Sequence, residues 1–165
     1  MPLLRYATLV MILVLAGCAG YSFGPGEASV LPPKYRVLAI AEVVNPTTLP
    51  WLEPRLRKLL RDELNNRGTF TWTDQRDDAD AVITIDIERY YRPTAVEGDD
   101  DRTLLSKAVF RFNATIRSTT DQSELWRSGT ISENWPYDYG SGEEADMEVT
   151  RRGIQRLADK MTQDY

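Results

Sequence analysis

The chain has 165 residues, and its 25 acidic residues outnumber its 20 basic ones, which gives a formal net charge of −5 at pH 7. Nucleic-acid binding depends on surfaces rich in lysine and arginine, so this balance excludes a general nucleic-acid partner. The sequence contains no histidine and one cysteine. The chain therefore lacks the commonest general base and the commonest transition-metal ligand, and we expect no catalytic residues, no bound metal and no cofactor.

The single cysteine, Cys18, follows an apolar run at residues 7–16, behind the lone positive charge of Arg5. A membrane span needs about 20 apolar residues, so this run matches the shorter apolar core of a signal peptide. The string Leu15-Ala16-Gly17-Cys18 resembles a bacterial lipobox. This resemblance implies cleavage before Cys18 and attachment of an S-diacylglycerol and an N-acyl chain to it. The alternative is a plain signal peptide with an incidental cysteine.

A lipidated Cys18 decides both compartment and anchoring. Several acyl chains on one residue hold a protein stably on a membrane, and acylation leaves no free thiol for a disulfide or for catalysis. Ala19, rather than an aspartate, follows the cysteine, and the sorting rule of enteric bacteria makes this pattern typical of an outer-membrane lipoprotein. We therefore expect residues 1–17 to be removed and the protein to be lipid-anchored on the periplasmic face of the outer membrane.

Residues 18–34 are rich in glycine and proline and show no apolar periodicity, which predicts a lipidated N-terminus and a flexible tether. A random coil of about 15 residues spans roughly 20 Å. Residues 35–165 are then expected to form one folded domain with its own core. The short tether keeps that domain beside the membrane.

The first half of the domain predicts a strand, a helix and a short strand. Residues 36–44 are almost continuously apolar, as in a strand that is central in a sheet or covered on both faces. A helix is expected from near Pro50 to Gly68, with Thr48 or a neighbour as its cap. Its apolar stripe comprises Leu52, Leu56, Leu59, Leu60 and Leu64. A short strand at residues 69–73 follows the helix.

Two strands of alternating hydrophobicity follow at residues 81–91 and 107–117. In the first strand, Tyr90 is expected on the polar face, whereas Arg89 falls on the parity of the apolar row. The apolar row of the second strand comprises Ala108, Phe110, Phe112, Ala114 and Ile116. The acidic loop Glu97–Arg102 separates the two strands.

A third strand, a loop and a second helix complete the predicted domain. The strand is expected near residues 124–134 and the loop at residues 136–142, where proline and glycine break regular structure. The final helix runs from about Glu143 to Gln163, and the acidic residues in its first turn match the helix dipole. One side of this helix presents Met147, Thr150, Ile154, Leu157, Ala158 and Met161.

The order of these elements predicts an α+β fold. Two amphipathic helices are expected to pack on one face of a mostly antiparallel or mixed sheet of about four to five strands. The opposite face of the sheet is left polar. This arrangement is a two-layer sandwich.

Three sequence segments, the lipobox and the two helices occur in a familiar order. The segments are VLAIAEVVNPT (37–47), ADAVITIDIERY (79–90) and FNATI (112–116), and Gly20-Tyr21 follows the lipobox. Together they resemble the lipopolysaccharide-assembly lipoprotein family LptE. The resemblance implies a non-enzymatic protein that sits as a plug inside the LptD β-barrel, supports assembly of that barrel, and contacts lipopolysaccharide during its delivery to the outer leaflet. It also implies two helices on a four-stranded sheet.

The outward face of the strand at residues 107–117 offers cations for contact with lipid A phosphates or with the barrel. These cations are Lys107, Arg111 and Arg117, joined by Arg89 and Arg92 from the end of the preceding strand. Arg89 reaches this face only if that strand twists or ends there. The alternative is a solvated face whose cations pair with Asp86 and Glu88 across strands, a contribution of little energy.

Three further clusters of polar or aromatic side chains bear on function. Tyr137 and Tyr139 lie in the predicted loop and are candidates for contact with a barrel wall or a sugar. The acidic run at residues 97–101 lacks the ligand spacing of a calcium loop, so a solvated loop is expected there. Asp86 and Glu88 lie on one strand face, too close and too parallel to flank a sugar as a glycosidase pair.

Two functions therefore compete. The first is a plug and assembly partner of the LptD barrel. The second is a periplasm-facing lipoprotein that binds another envelope partner, such as a regulator of peptidoglycan synthesis. A regulator that reaches through the peptidoglycan needs a long disordered arm, whereas the predicted tether covers only residues 18–34. The short tether favours the plug.

Overall fold

The computed structural model describes residues 29–97, 103–138 and 140–162. Cys18, Tyr139 and most of the acidic loop lie outside the described residues, so what the sequence predicts for them stays a prediction. Within the described residues the chain forms two α-helices and seven strands. Their bounds are β1 (Val37–Val44), α1 (Leu52–Arg67), β2 (Thr71–Trp72), β3 (Ala81–Tyr91), β4 (Thr94–Glu97), β5 (Thr103–Ser118), β6 (Glu124–Arg127), β7 (Ile131–Asp138) and α2 (Gly142–Thr162).

The strands of the described residues form one mixed sheet, in which β1 runs parallel to β2 and β3 and the other pairs are antiparallel. β3 and β4 follow one another along one edge of β5, because Tyr91 pairs with Val109 and Thr94 pairs with Ser106. Ser106 also pairs with Tyr137, which places β7 on the opposite edge of β5. The order across the sheet is therefore β2, β1, β3 with β4, β5, and β6 with β7.

Both helices pack on the same face of this sheet, so the predicted two-layer α+β fold is confirmed. The core lies between the two layers, and its largest wholly buried side chains include Leu38, Leu52, Leu56, Leu60, Leu64, Ile83, Ile85, Ile87, Phe110, Phe112, Ile116 and Ile131. These residues come from the predicted apolar rows of the helices and strands. Apolar periodicity therefore identified the buried face of most elements correctly.

The first helix starts and packs slightly differently from the prediction. It begins at Leu52 rather than near Pro50, and Trp51 precedes it without a side-chain capping hydrogen bond. Its end at Gly68 is confirmed, because Gly68 adopts a φ of +66° and donates its backbone N–H to the Leu64 carbonyl oxygen. The leucines four residues apart are wholly buried, whereas Leu59 is only half-buried. The contact stripe of α1 is thus narrower than predicted.

The apolar run of β1 reflects burial on both faces at its start. Leu38 and Ile40 belong to the core beneath the helices, whereas Ala39 packs with Ala79 and Val82 in a small cluster on the other face. The pairing register with β3 then shifts between Ile40 and Glu42. The prediction of a strand covered on both faces is confirmed for this first part of β1.

A β-bulge in β3 changes which side chains face the core. The register with β5 shifts between Ile87 and Arg89, so that Glu88 has no partner and the alternation reverses after it. Tyr90 therefore points into the core, where it is 9% exposed, and Arg89 points to the exposed face. The predicted faces of Tyr90 and Arg89 were wrong because simple alternation does not include an extra residue.

The end of the sheet also differs from the prediction. The single strand expected at residues 124–134 is two strands, β6 and β7, separated by Gly129 at a φ of +65°. Residues 136–138, expected in a loop, belong to β7. Pro136 is tolerated there because β7 pairs with β5 on one side only within the described residues, and an edge strand does not need every N–H for pairing.

Met147 departs from the predicted apolar side of α2. Thr150, Ile154, Leu157, Ala158 and Met161 are buried as expected, but Met147 is 44% exposed. Its side chain borders an open cavity of about 350 Å³ together with Trp51, Arg55, Glu143 and Asp146. This cavity lies beside the N-terminus of α1. Because α1 begins only at Leu52, it does not cover this part of the first turns of α2.

The second helix approaches the sheet closely at Gly153. Phe110 and Phe112 stack with their ring centroids 4.5 Å apart. A Cβ atom added at Gly153 would lie 3.0 Å from Phe112 Cε1 and 3.1 Å from Phe110 Cδ1. The missing side chain at this position therefore lets the backbone of α2 lie on the two rings.

Replacing Gly153 by valine should lower the free energy of unfolding by about 2 kcal/mol, because the new methyl groups overlap two wholly buried rings. Urea unfolding followed by circular dichroism measures this change. Met147→Val places the same residue at an exposed position of the same helix and should cost less than about 1 kcal/mol. Equal stability of the Gly153 variant and the wild type would contradict the close approach.

Candidate functional site

The cations predicted for ligand contact lie on the sheet face that the helices leave uncovered. Lys107, Arg111 and Arg117 are exposed and alternate along β5 with core residues such as Phe110 and Phe112. The period of two along a strand places all three on one side. The structure thus brings them to the face on which the sequence placed them, and their role in ligand contact stays a prediction.

Arg117 is engaged by the turn that follows β5. Its Nη2 lies 3.7 Å from Glu124 Oε2, and its Nη1 donates to the Gln122 carbonyl oxygen at 3.3 Å. Arg127 also donates to Glu124, at 2.6 Å. The hydrogen bond from Arg127 is the main cause of a lowered pKa of Glu124; burial opposes it, and the charges of Arg127 and Arg117 add smaller lowering effects. Arg117 therefore already has acceptors within the protein.

Arg111 and Lys107 make fewer polar contacts than Arg117 with the side chains that the structure describes. Arg111 Nη2 lies 3.7 Å from Glu88 Oε2, and the other oxygen of Glu88 accepts from Thr130 Oγ1 at 2.7 Å and from Asn113 Nδ2 at 3.3 Å. Among the side chains that the structure describes, which exclude those of residues 94–97 and 103–104, no ion pair holds Lys107. The predicted pairing with acids across strands is thus found for Arg111, at a distance at which a surface ion pair contributes little.

Arg89 is the cation that simple alternation assigned to the wrong face. The bulge at Glu88 places it directly opposite Arg111, and its guanidinium lies over the ring of Tyr91 at 4.5 Å. The signal in the sequence is the pair Glu88-Arg89, which interrupts the apolar alternation before two tyrosines. Strict alternation would turn one of two consecutive charged residues toward the core, and an extra residue in the strand lets both stay exposed.

Arg92 does not join this face. Its Nε donates to Asp146 Oδ1 at 3.0 Å, its Nη2 contacts the other oxygen of Asp146, and the hydroxyl of Tyr90 donates to Asp146 Oδ1. Burial lowers the pKa of the Arg92 guanidinium, but the hydrogen bonds and charge of Asp146 outweigh that effect and raise it. Placing Arg92 with the outward cations was wrong because the bulge at Glu88 reverses the alternation, so that Arg92, two residues after Tyr90, lies on the face that carries α2.

Tyr137 lies in β7 and not in a loop. It is half-buried, pairs with Ser106, and faces the same side as Trp135, which is stacked beneath the guanidinium of Arg152 at 4.2 Å. This side of β7 carries α2, so Tyr137 and the outward cations of β5 lie on opposite faces of the sheet. Tyr139 lies outside the described residues.

A second surface feature of the described residues lies between α1 and β2. A groove of about 270 Å³ between α1 and β2 is lined by Ile40, Pro54, Arg57, Lys58, Arg61, Trp72, Thr73 and Asp74. Its basic side chains already pair with acids of α1: Arg57 with Glu53, and Lys58 and Arg61 with Asp62. Across residues 29–97, 103–138 and 140–162 there is no group of three or more potential metal ligands.

In the part of the chain that the structure describes, neither α1 nor α2 combines the length and the apolar character required to cross a membrane. The apolar stripe of each helix is instead used against the sheet.

Solved structures with the same fold include lipoproteins. Lipoprotein B from Nitrosomonas europaea is 12% identical, with a TM-score of 0.64 over 87% of this chain and 90% of that one. PelC from Paraburkholderia phytofirmans, solved as a dodecamer, is 11% identical, with a TM-score of 0.56 over 78% of this chain and 93% of that one. At these identities the likeness shows the fold alone.

The chain is also similar in sequence to one curated protein and to one family model. Centrosomal protein of 131 kDa from Mus musculus is 29% identical over 109 residues, which is 66% of this chain and only 10% of that protein. The chain thus spans about a tenth of the length of this curated relative. The family model described as "LptE: Lipopolysaccharide-assembly" matches residues 35–164, which is most of the chain. The chain belongs to the lipopolysaccharide-assembly family LptE.

Proposed function

We propose that this protein is a non-enzymatic outer-membrane lipoprotein that plugs an LptD-type β-barrel and supports its assembly in lipopolysaccharide transport. The observation that carries this proposal is the match of the LptE family model to residues 35–164. The anchor is the lipid on Cys18, and the lipobox at residues 15–18 supports it. Lipopolysaccharide itself is a proposed ligand of the exposed cations on β5.

The exposed face of the sheet suits the interior of a barrel. Large outer-membrane barrels have a polar lumen, so a plug needs a polar surface on the side that faces the wall. Lys107, Arg111 and Arg117 alternate along β5 with buried residues, and Ser132, Asn134 and Pro136 continue this exposed face on β7. Such a face hydrogen-bonds to a polar wall without the cost of burying unpaired groups.

The distance from the anchor to the domain also supports this proposal. The N–H of Val30 donates to the Met161 carbonyl oxygen at 3.1 Å, and Leu31 is 3% exposed in the core. The chain between Cys18 and Val30 can span at most about 40 Å even when fully extended. A lipid on Cys18 would therefore hold the domain next to the membrane that contains the barrel.

Affinity purification of the lipidated protein from its own outer membrane tests this function. We expect a large β-barrel to be recovered at equal stoichiometry, and we expect depletion of the protein to leave that barrel misassembled. Cys18→Ser is the control for the anchor and should release the protein from the membrane fraction. Recovery of a peptidoglycan synthase in place of a barrel would overturn the proposal in favour of the second function.

A further inference from the structure

The outer edge of β7, which faces away from β5, carries no paired strand in the part of the chain that the structure describes. The backbone N–H of Lys107 in β5 donates to the Pro93 carbonyl oxygen, on the side of β5 that carries β3 and β4. Alternate residues of an antiparallel strand direct their backbone groups to opposite edges. The backbone groups of Val109 and Arg111 therefore also face β3 and β4, and not β7.

The partners of these β5 residues in β7 direct their backbone groups outward for the same reason. These partners are Ser132, Asn134 and Pro136. All three residues are exposed, whereas the β7 residues between them are half-buried. Because proline has no N–H, the outer edge of β7 offers the N–H and C=O groups of Ser132 and Asn134 and the C=O group of Pro136.

A row of cations on α2 borders this edge on the helix side of the sheet. Arg152, Arg156 and Lys160 recur every four residues and therefore lie on one side of α2. The guanidinium of Arg152 lies over the ring of Trp135 at 4.2 Å, and Arg156 Nε lies 2.8 Å from Glu133 Oε1. Trp135 and Glu133 belong to β7, and Lys160 Nζ reaches the backbone between β6 and β7 at 3.3 Å. The cations thus follow the length of the edge.

The nearby carboxylates do not neutralise this row. Glu148 lies 3.7 Å from Arg152 Nε and is already held by Arg151 at 2.6 Å. Lys160 has no ion-pair partner among the described side chains. The side chains of Arg152 and Arg156 remain 47% and 58% exposed. The helix side of the edge therefore carries an excess of positive charge.

We propose that the outer edge of β7 binds an extended acidic segment of a partner protein as an added antiparallel strand. An extended backbone supplies the acceptors and donors that the free groups of Ser132 and Asn134 need. Side chains of such a segment alternate between its two faces, so acidic ones on one face meet the cations of α2. Pro136 lacks an N–H and limits the pairing at one end, which fixes the register of the segment.

A synthetic peptide of alternating glutamate and threonine tests the charge requirement, with the full lipidated protein in detergent and fluorescence anisotropy as the measurement. Combining Arg152→Gln with Arg156→Gln should weaken peptide binding by about fivefold, the loss expected for two exposed ion pairs. Arg57→Gln removes an exposed arginine of α1 and should leave the affinity unchanged. The absence of binding to the wild type, or an equal loss in the Arg57 variant, would overturn the proposal.

Backbone methylation of the same peptide tests strand pairing. In an antiparallel pair, opposed residues lie on the same face, so the threonines lie opposite Ser132 and Asn134 when the glutamates meet α2. N-methylation of the threonines should therefore abolish binding, whereas N-methylation of the glutamates, whose N–H groups point away from β7, should preserve it. The reverse result would mean addition of a parallel strand and would support the site. An equal effect of both methylations would overturn it.

A substitution on the edge tests the location of the site. Asn134→Pro removes an outward N–H that β5 does not use, so the variant should melt close to the wild type, as the natural Pro136 is tolerated two residues away. Its affinity for the peptide should fall by about tenfold. Asn134→Ser changes the side chain but keeps the N–H, and it should bind as the wild type does. Equal affinity of the two variants would contradict pairing at this edge.

Hydrogen exchange of the wild type gives a second measurement that does not depend on a variant. The outward N–H groups of Ser132 and Asn134 should exchange rapidly in the free protein and slowly with the peptide bound. The N–H groups of Glu133 and Trp135, which face β5, should be protected in both states. Unchanged exchange at Ser132 and Asn134 in the presence of saturating peptide would overturn the proposal.

The oligomeric state separates a partner segment from a second copy of this chain. If a second copy occupied the edge, the purified protein would dimerise and the peptide would dissociate the dimer. We expect analytical ultracentrifugation in detergent to show a monomer with and without the peptide. A dimer that the peptide dissociates would overturn the assignment to a partner protein. The β7 edge is separate from the exposed cations of β5, so this inference does not rest on the proposed function.

Discussion

Phe110→Ala should lower the free energy of unfolding by about 3–5 kcal/mol, the range for removing a large ring from a core. Phe110 is 0% exposed, stacks on Phe112 at 4.5 Å, and has its ring centroid 6.0 Å from that of Tyr90. Its loss leaves a cavity beneath α2 at the point where Gly153 brings the helix backbone closest to the sheet. A loss of this size is a large part of the stability of an ordinary domain.

Denaturant unfolding measures this loss, and a second substitution tests its cause. Val44→Ala, at a residue that is 38% exposed, should cost less than about 1 kcal/mol. Gly153→Val should be better tolerated in the Phe110→Ala background than in the wild type, because the missing ring makes room for the new methyl groups. Additive costs of the two substitutions would show that Gly153 and Phe110 are not in contact.

Asp146→Ala should lower the free energy of unfolding by about 2–3 kcal/mol, because it removes the acceptor of two donors at once. The Tyr90 hydroxyl and the Arg92 guanidinium both donate to Asp146, whose side chain is 12% exposed. Arg92 is 40% exposed and recovers part of its loss from water, which keeps the expected cost below that of a fully buried pair. Thermal or urea unfolding measures the change.

The control is an acidic residue of the same helix without these partners. Glu144→Ala removes an exposed charge from the first turn of α2 and should cost less than about 1 kcal/mol. Hydrogen exchange should also become faster in β4 of the Asp146 variant, because Asp146 holds Arg92 at the point where β3 passes into β4. Unchanged exchange in β4 would contradict this role for Asp146.

The loss of stability at alkaline pH provides a further test of the hydrogen bonds that join Tyr90 and Arg92 to Asp146. Burial first, and then the hydrogen bond and charge of Asp146, raise the pKa of Tyr90 in the folded protein. The contribution of Tyr90 to the free energy of unfolding is therefore fully present below about pH 10, the pKa of tyrosine in the unfolded chain. This contribution is lost as the pH rises above that value. Tyr90→Phe should show a smaller loss of stability between pH 9 and 11 than the wild type, and an identical loss would contradict the assignment.

The sequence alone predicted the layers and most of the core. The leucines of α1 and the alternating rows of β3 and β5 identified their buried faces, because burial on one side of a regular element leaves a period in the sequence. Gly68 marked the end of α1, since it adopts a left-handed conformation. The family could be recognised for the same reason, because its signature is this ordered pattern of elements.

The cations of the exposed face could be predicted only in part. Lys107, Arg111 and Arg117 lie in a strand whose alternation is unbroken, so counting residues was sufficient to place them. Arg89 and Arg92 lie after a bulge and beside a proline, where counting fails. In the structure, Arg89 lies on the exposed face, whereas Arg92 lies on the opposite face and contacts Asp146 near the start of α2.

The sequence by itself therefore determined the lipobox at Cys18 as a prediction, the two amphipathic helices, and the strand parity of β5. Only the tertiary structure decided that β6 and β7 are separate strands on one edge of β5, and that Arg89 opposes Arg111. The physical reason is that periodicity is a local property of a strand. A bulge, an edge position or a partner such as Asp146 is set by pairing with residues that are distant in the chain.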